Sequence, residues 1–199
     1  MAKARRRTQE ERREGTIRKL LDAAASALIE IGYAGASVQQ ICARAGVSQG
    51  GLFRHFATRE ALMVAVAEDI GNQVLAAYRS DFEALRAREE PLQLALRLVR
   101  ASCRSRPNQA WYELAMAART NATLRKALGP INARYHRDIE GLARQLLPEL
   151  ARTLGDRFPI LVDTIVAVFD GESLHRFVLK KPHLDDARVE LLAALARMV

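Results

Sequence analysis

The segment Ser48-Gln49-Gly50-Gly51-Leu52-Phe53-Arg54-His55-Phe56 carries side chains suited to gripping a nucleic acid. Gln49 can donate and accept at once, which matches the paired acceptor and donor on the major-groove edge of adenine. Arg54 and His55 can hold phosphates, and Phe53 can pack on sugars or a thymine methyl. Arg59 stands beside Thr58, a helix-capping type, so it could add a phosphate contact at a helix N-terminus. Two glycines in a first helical turn cost about 1 kcal/mol each against alanine. Their presence points to something that approaches the backbone closely. A plain loop is the other reading of Ser48–Gly51. Against it, Leu52 and Phe56 form an apolar i, i+4 pair, which is helical spacing.

Catalytic chemistry is poorly represented. Glu172 and His175 form one Glu-x-x-His, half of a di-iron bundle motif, and His136 and Glu140 lie one turn apart. A di-iron site needs two such motifs and two further glutamates, and the sequence has one. It has no nucleophile-elbow serine, phosphate-binding glycine loop or zinc-ligand spacing. The expectation is no catalytic residue, no metal site and no cofactor. Cys42 and Cys103 sit in apolar helical patterns without CxxC spacing and read as buried free thiols. No apolar run reaches the roughly 18 residues of a membrane span. The basic start is followed by Glu10, Glu11 and Glu14, unlike a secretory signal. A cytoplasmic protein with no membrane partner is expected.

The elements that must position the Ser48–Phe56 segment are helices. Ile17, Leu20, Leu21, Ala24, Ala25, Leu28 and Ile29 recur at i, i+3, i+4, i+7, and Gly32 ends the run. Ser37 and Gln40 have capping-box form ahead of a two-turn helix that Gly46 closes. Ser48 is an N-cap for the next helix, and Thr58 for a long one carrying Leu62, Val66, Ile70, Val74 and Tyr78. Two short helices around a glycine turn make a helix-turn-helix, whose second helix enters the major groove N-terminus first.

Apolar stripes continue through Leu92–Cys103, Trp111–Ala118 and Leu124–Leu146. Gly129-Pro130 must kink or interrupt the last of these. Pro148 and Gly155-Asp156 mark a connection. Phe158–Lys180 is apolar on more than one face, so it should be buried on several sides. Asp170-Gly171 could be a turn, but the pattern runs through it and favours helix. Pro182 ends the stretch, and Leu184–Val199 supplies a last helix.

Composition agrees. The 199 residues are 49% hydrophobic, and Gly and Pro are sparse, which suits a helical globular chain. The net charge of +8 is uneven: residues 1–60 hold eleven Lys and Arg against six Asp and Glu. The basic excess lies where a polyanion would be met. Lys3–Arg7 could enter a minor groove or remain a solvated tail.

The strings Gly32–Ile41 and Ala45–Leu62 resemble the N-terminal domain of the TetR family over roughly residues 15–65. The resemblance implies base or groove contact by Gln49, Gly50, Gly51 and Phe53. It implies phosphate contact by Ser37, Gln39, Ser48, Arg54, His55 and Arg59. One departure stands out. The family usually has a tyrosine where Phe53 or Arg54 stands, and its hydroxyl meets phosphate. Phe53 lacks that hydroxyl, and Arg54 would compensate through charge.

An all-α chain is therefore expected. A mobile basic arm (1–14) precedes a three-helix helix-turn-helix domain (15–62) and a larger helical-bundle domain for ligand binding and dimerisation (63–199). Phe158–Lys180 and Leu184–Val199 carry more apolar surface than one bundle face can use, and they would join a homodimer. The family likewise dimerises through its last two long helices. The resemblance implies a repressor on double-stranded DNA with a palindromic operator, released by a small-molecule inducer that binds among the middle helices. Trp111, Tyr112, Met116, Tyr135, His136 and Phe169 are candidate inducer contacts, although each also reads as core. A DNA-binding protein without ligand response is the alternative.

Overall fold

The computed structural model describes residues 8–86 and 91–198; Lys3–Arg7 of the arm lie outside them. Ten α-helices are found among these residues, with no strand. Contacts divide the chain into two compact units. The first runs to Asp69 and includes Glu113–Leu128; the second holds Ile70–Tyr112 and everything from Gly129 on.

In the first unit, helix α1 (Gln9–Gly35) starts earlier than its apolar period suggests. Thr8 caps it: its side chain accepts from the Glu11 N–H, and Glu11 answers on the Thr8 N–H at 2.9 Å. Residues 9–14 are thus helix, not part of an arm, because a reciprocal capping box satisfies two otherwise unpaired donors. The helix breaks at Gly32 (φ 69°). Helix α2 (Val38–Ala45) is capped by Ser37 and closed by Gly46 in the left-handed region, φ 63°. Only half of the expected capping box forms here. The Ser37 hydroxyl accepts from the Gln40 N–H, while Gln40 Oε1 accepts from Arg44 at 3.1 Å. Helix α3 (Gln49–Phe53) follows a Ser48 cap, and α4 (Arg59–Arg86) follows a Thr58 cap at 3.0 Å to the Ala61 N–H. Leu20, Leu28, Ile41, Leu52, Leu62, Met63 and Val66 are the buried centre. Leu62, Met63, Val66 and Ala67 are buried and Asp69 pairs with Arg18 at 2.7 Å. The expected border at residue 62 therefore lies short of the observed one.

The second unit is built from the rest of α4, α5 (Pro91–Cys103), α7 (Ala122–Leu146) from Gly129, α8 (Pro148–Leu154), α9 (Phe158–His175) and α10 (Asp185–Met198). Helix α6 (Arg106–Ala118) changes unit after Tyr112. Pro130 lies inside α7, which passes through it. Pro148 starts a helix of its own, because the missing N–H is no loss in a first turn. Helix α9 runs through Asp170-Gly171 but stops at His175, five residues before Lys180. Leu92, Leu96 and Cys103 of α5, Ile165 and Phe169 of α9, and Val189, Ala193 and Ala196 of α10 form one apolar core.

Candidate nucleic-acid interface

The first unit places the predicted reading residues on one short helix. Leu52 is fully buried and fixes α3 to its domain, while Ser48, Gln49, Gly50, Phe53 and Arg54 are exposed. His55 is half-buried, and its N–H closes the helix end on the Leu52 carbonyl at 2.9 Å. Phe53 keeps 47% of its surface in water. Ser37 and Gln39, at the start of α2, are also exposed. The hydroxyls of Ser37 and Ser48 are already engaged as caps.

The two glycines turn out to differ. A Cβ on Gly51 would lie 2.9 Å from Val47 Cγ1 and 3.3 Å from Ser48 Oγ, so the turn itself excludes a side chain. A Cβ on Gly50 would meet nothing within 4 Å. Only Gly50 lacks an internal reason to be glycine.

Arg59 is engaged within the domain. Its Nε donates to the Ala36 carbonyl at 2.8 Å, its Nη2 donates to the Tyr33 carbonyl, and the guanidinium lies 4.2 Å from the Tyr33 ring centroid. The start of α4 is thus tied to the turn between α1 and α2. This is a positioning contact, which the sequence did not reveal because Tyr33 and Arg59 are 26 residues apart. Arg44 plays a similar part: it pairs with Glu30 at 3.1 Å and joins α2 to α1.

Of the six candidate ligand contacts, five lie in the second unit, where Tyr112 and Tyr135 both stand near Cys103 and Asp170. Met116 belongs to the first unit and is 58% exposed. Phe169 is fully buried in the α5–α9–α10 core. The Tyr112 hydroxyl donates to Asp170 Oδ1 at 2.7 Å, with the Cys103 carbonyl at 2.9 Å as a second acceptor. His136 pairs with Asp163 at 3.1 Å and meets Tyr135 edge-on. Tyr135 packs with Tyr78 around Leu75, Ile139 and Val166, and Trp111 is half-buried. The second unit instead has a cleft of about 60 Å³ between Tyr78 of α4, Ala95, Leu98 and Val99 of α5, and Ile139, Leu142, Ala143 and Leu146 of α7. None of the six lines it. Sequence periodicity marks such aliphatic residues as core, so they gave no separate signal.

Buried chemistry in the second unit is locked. Burial above all pushes the Cys103 thiol and the Tyr112 phenol up, with the Asp170 charge adding to both. Burial likewise raises the Tyr78 and Tyr135 phenols. All four stay protonated at neutral pH. Glu172, the acid of the Glu-x-x-His, is held by Arg104 and lies 3.3 Å from Arg188, while His175 is exposed. Both cysteines are buried and free. Among the described residues no group of three or more His, Cys, Asp and Glu could hold a metal, and no helix is long and apolar enough to cross a membrane.

A capped helix-turn-helix on an all-helical chain defines a class, the DNA-binding transcriptional regulators. The profile of bacterial regulatory proteins of the tetR family matches residues 20–66. An uncharacterized HTH-type transcriptional regulator of Mycobacterium tuberculosis is 38% identical over 189 residues, 95% of this chain and 96% of that one. Among solved structures, a TetR-family member from Streptomyces coelicolor superposes with TM-score 0.68 at 23% identity, covering 91% of this chain and 97% of that one. The multidrug binding protein EbrR, crystallised with malachite green, superposes with TM-score 0.65 at 24% identity, covering 90% and 96%. The chain belongs to the TetR family of bacterial transcriptional regulators, and it is not an enzyme.

Proposed function

We infer that this regulator is a repressor that binds a palindromic operator as a homodimer and is released by a small-molecule inducer. The observation that carries the reading is the split of α3: Leu52 wholly inside, with Gln49, Gly50, Phe53 and Arg54 outside. In this reading Gln49, Gly50 and Phe53 meet bases or groove walls. Arg54, His55, Ser37, Gln39 and Ser48 sit against phosphates. Gly51 shapes the turn and Arg59 holds it.

Dimerisation is supported by apolar surface in the second unit. Ile160, Val168 and Leu174 of α9 and Leu191, Leu195 and Met198 of α10 are exposed, although both helices also bury a face in the core. Exposed stripes of this kind mark a protein interface. A two-fold pair would set two α3 helices about 34 Å apart, one turn of DNA. The inducer would bind in the second unit.

Footprinting on the DNA flanking the protein's own coding region tests the reading, together with light scattering. A protected palindrome and a mass of two chains are expected. A monomer that protects one half-site alone would overturn the dimeric operator complex. Operator binding that no small molecule weakens would leave a regulator without ligand response.

A further inference from the structure

We propose that the turn Phe177-Val178-Leu179, with Lys180 and Lys181 beside it, docks on an anionic lipid surface. The turn follows the end of α9 at His175 and precedes the short Pro182–Leu184 helix that leads into α10. Phe177, Val178 and Leu179 are 67%, 91% and 57% exposed. Three consecutive large apolar side chains held in water mark an interaction surface, whereas scattered single ones do not. The backbone beneath them is fixed. The N–H groups of Phe177, Val178 and Leu179 donate to the carbonyls of Leu174, His175 and His175 at 3.3, 3.0 and 2.8 Å. The tip can therefore enter a lipid interface without carrying unpaired N–H donors into it.

Charge selects the kind of lipid. Arg176, Lys180 and Lys181 flank the apolar tip, and no Asp or Glu stands between Glu172 and Asp185. The acids at either end already face arginines: Glu172 and Asp185 pair with Arg104, and Asp186 lies 3.6 Å from Arg100. An apolar point collared by cations seats at an anionic headgroup layer, with its apolar side chains reaching the acyl boundary. Each Lys or Arg near such a surface strengthens binding roughly fivefold. A second copy of this chain would bring the same cations back against the tip, and like charge disfavours that pairing. The sequence expectation of no membrane partner concerned a span. A tip at headgroup depth crosses nothing, and no helix among the described residues is long and apolar enough to do so.

The test uses the full chain and two kinds of vesicle, pure phosphatidylcholine and a mixture of phosphatidylcholine with phosphatidylglycerol. Flotation should show at least tenfold tighter binding to the anionic vesicles. Two double variants divide the surface: Phe177→Ser with Val178→Ser removes the apolar tip, and Lys180→Gln with Lys181→Gln removes its collar. Each should lose at least tenfold in affinity for anionic vesicles. Both should keep the wild-type circular dichroism, mass by light scattering and operator affinity. A third variant, Phe177→Trp, reports depth: brominated acyl chains should quench its new indole beyond the quenching of Trp111 in the wild type. Equal binding to both kinds of vesicle overturns the proposal. Anionic-vesicle binding that survives in both double variants assigns it to the basic surface at large and also overturns it. A halved mass in the serine variant would show that the tip seats a second copy, and overturns it too. An indole left unquenched does the same, and that measurement stands without the serine variant.

Discussion

The two compact units start their helices differently. In the first, α1, α2, α3 and α4 each begin at a side-chain cap a few residues away: Thr8, Ser37, Ser48 and Thr58. In the second, α8 and α9 begin with no side-chain cap at all. Their partners are distant in sequence. Arg104 reaches Glu172 and Asp185, 68 and 81 residues away, and Tyr112 reaches Asp170 across 58. Local polar bonds leave the outer face of α3 available for contact. Long-range polar bonds turned inward tie α5, α6, α9 and α10 into one body. The difference teaches that a capped helix-turn-helix can be specified residue by residue, whereas a helical bundle is specified only as a whole.

The largest expected effect breaks the long-range side. Arg104→Ala leaves Glu172, whose side chain is 4% exposed, without its main counter-charge. Breaking a buried pair this way costs about 3 kcal/mol, near 6–12 °C in midpoint for a chain of this size. Thermal unfolding by circular dichroism checks it; an unchanged midpoint would show that the network is incidental.

Next comes the glycine pair. Gly51→Ala should destabilise by about 1–3 kcal/mol, because its Cβ collides with Val47. Gly50→Ala should instead stabilise the free protein by about 0.5–1 kcal/mol and weaken operator binding. Urea unfolding and operator titration read the two signs. Equal behaviour would erase the distinction between a structural and a contact glycine.

The arginines sharpen the same contrast. Arg54→Ala should weaken binding to all sequences and lower the salt slope by about 1. Arg59→Ala should reduce stability by about 1–2 kcal/mol through its lost carbonyl bonds and leave the salt slope unchanged. Gln49→Ala should change base preference, at about 1–3 kcal/mol on the preferred operator. Binding titrations across a salt series settle which arginine meets phosphate.

The smallest effect is acidic. The Arg104 guanidinium beside Asp185 holds that carboxyl below its ordinary value. A lowered folded pKa contributes stability above the unfolded pKa near 3.9, and loses it as pH falls through the folded value. Asp185→Asn should therefore lower the midpoint by a few degrees at pH 7. The gap between variant and wild type should be steady above about pH 5 and shrink progressively as pH falls below the unfolded pKa near 3.9. A gap that does not shrink with acidification would mean that the ion pair is not its source.

How much was legible follows the same division. Ser37, Gly46, Ser48 and Thr58 are readable because each acts within three or four residues of itself. Thr8-x-x-Glu11 was equally readable, yet the charged run Arg5–Glu14 masked it as an arm. Leu52 betrayed α3 through its pairing with Phe56. The relation of Arg59 to Tyr33 was not readable, since it depends on a neighbour that only folding supplies.

The sequence by itself determined an all-helical chain with a capped helix-turn-helix. Helical period and capping are local, and one polypeptide carries both. Only the tertiary structure decided that Gly51 serves the turn while Gly50 faces outward, that Arg59 holds the fold, and that aliphatic side chains rather than Trp111, Tyr112 or Phe169 line the cleft. The reason is physical. A cavity is the space that packing leaves between distant segments, and no single segment records it.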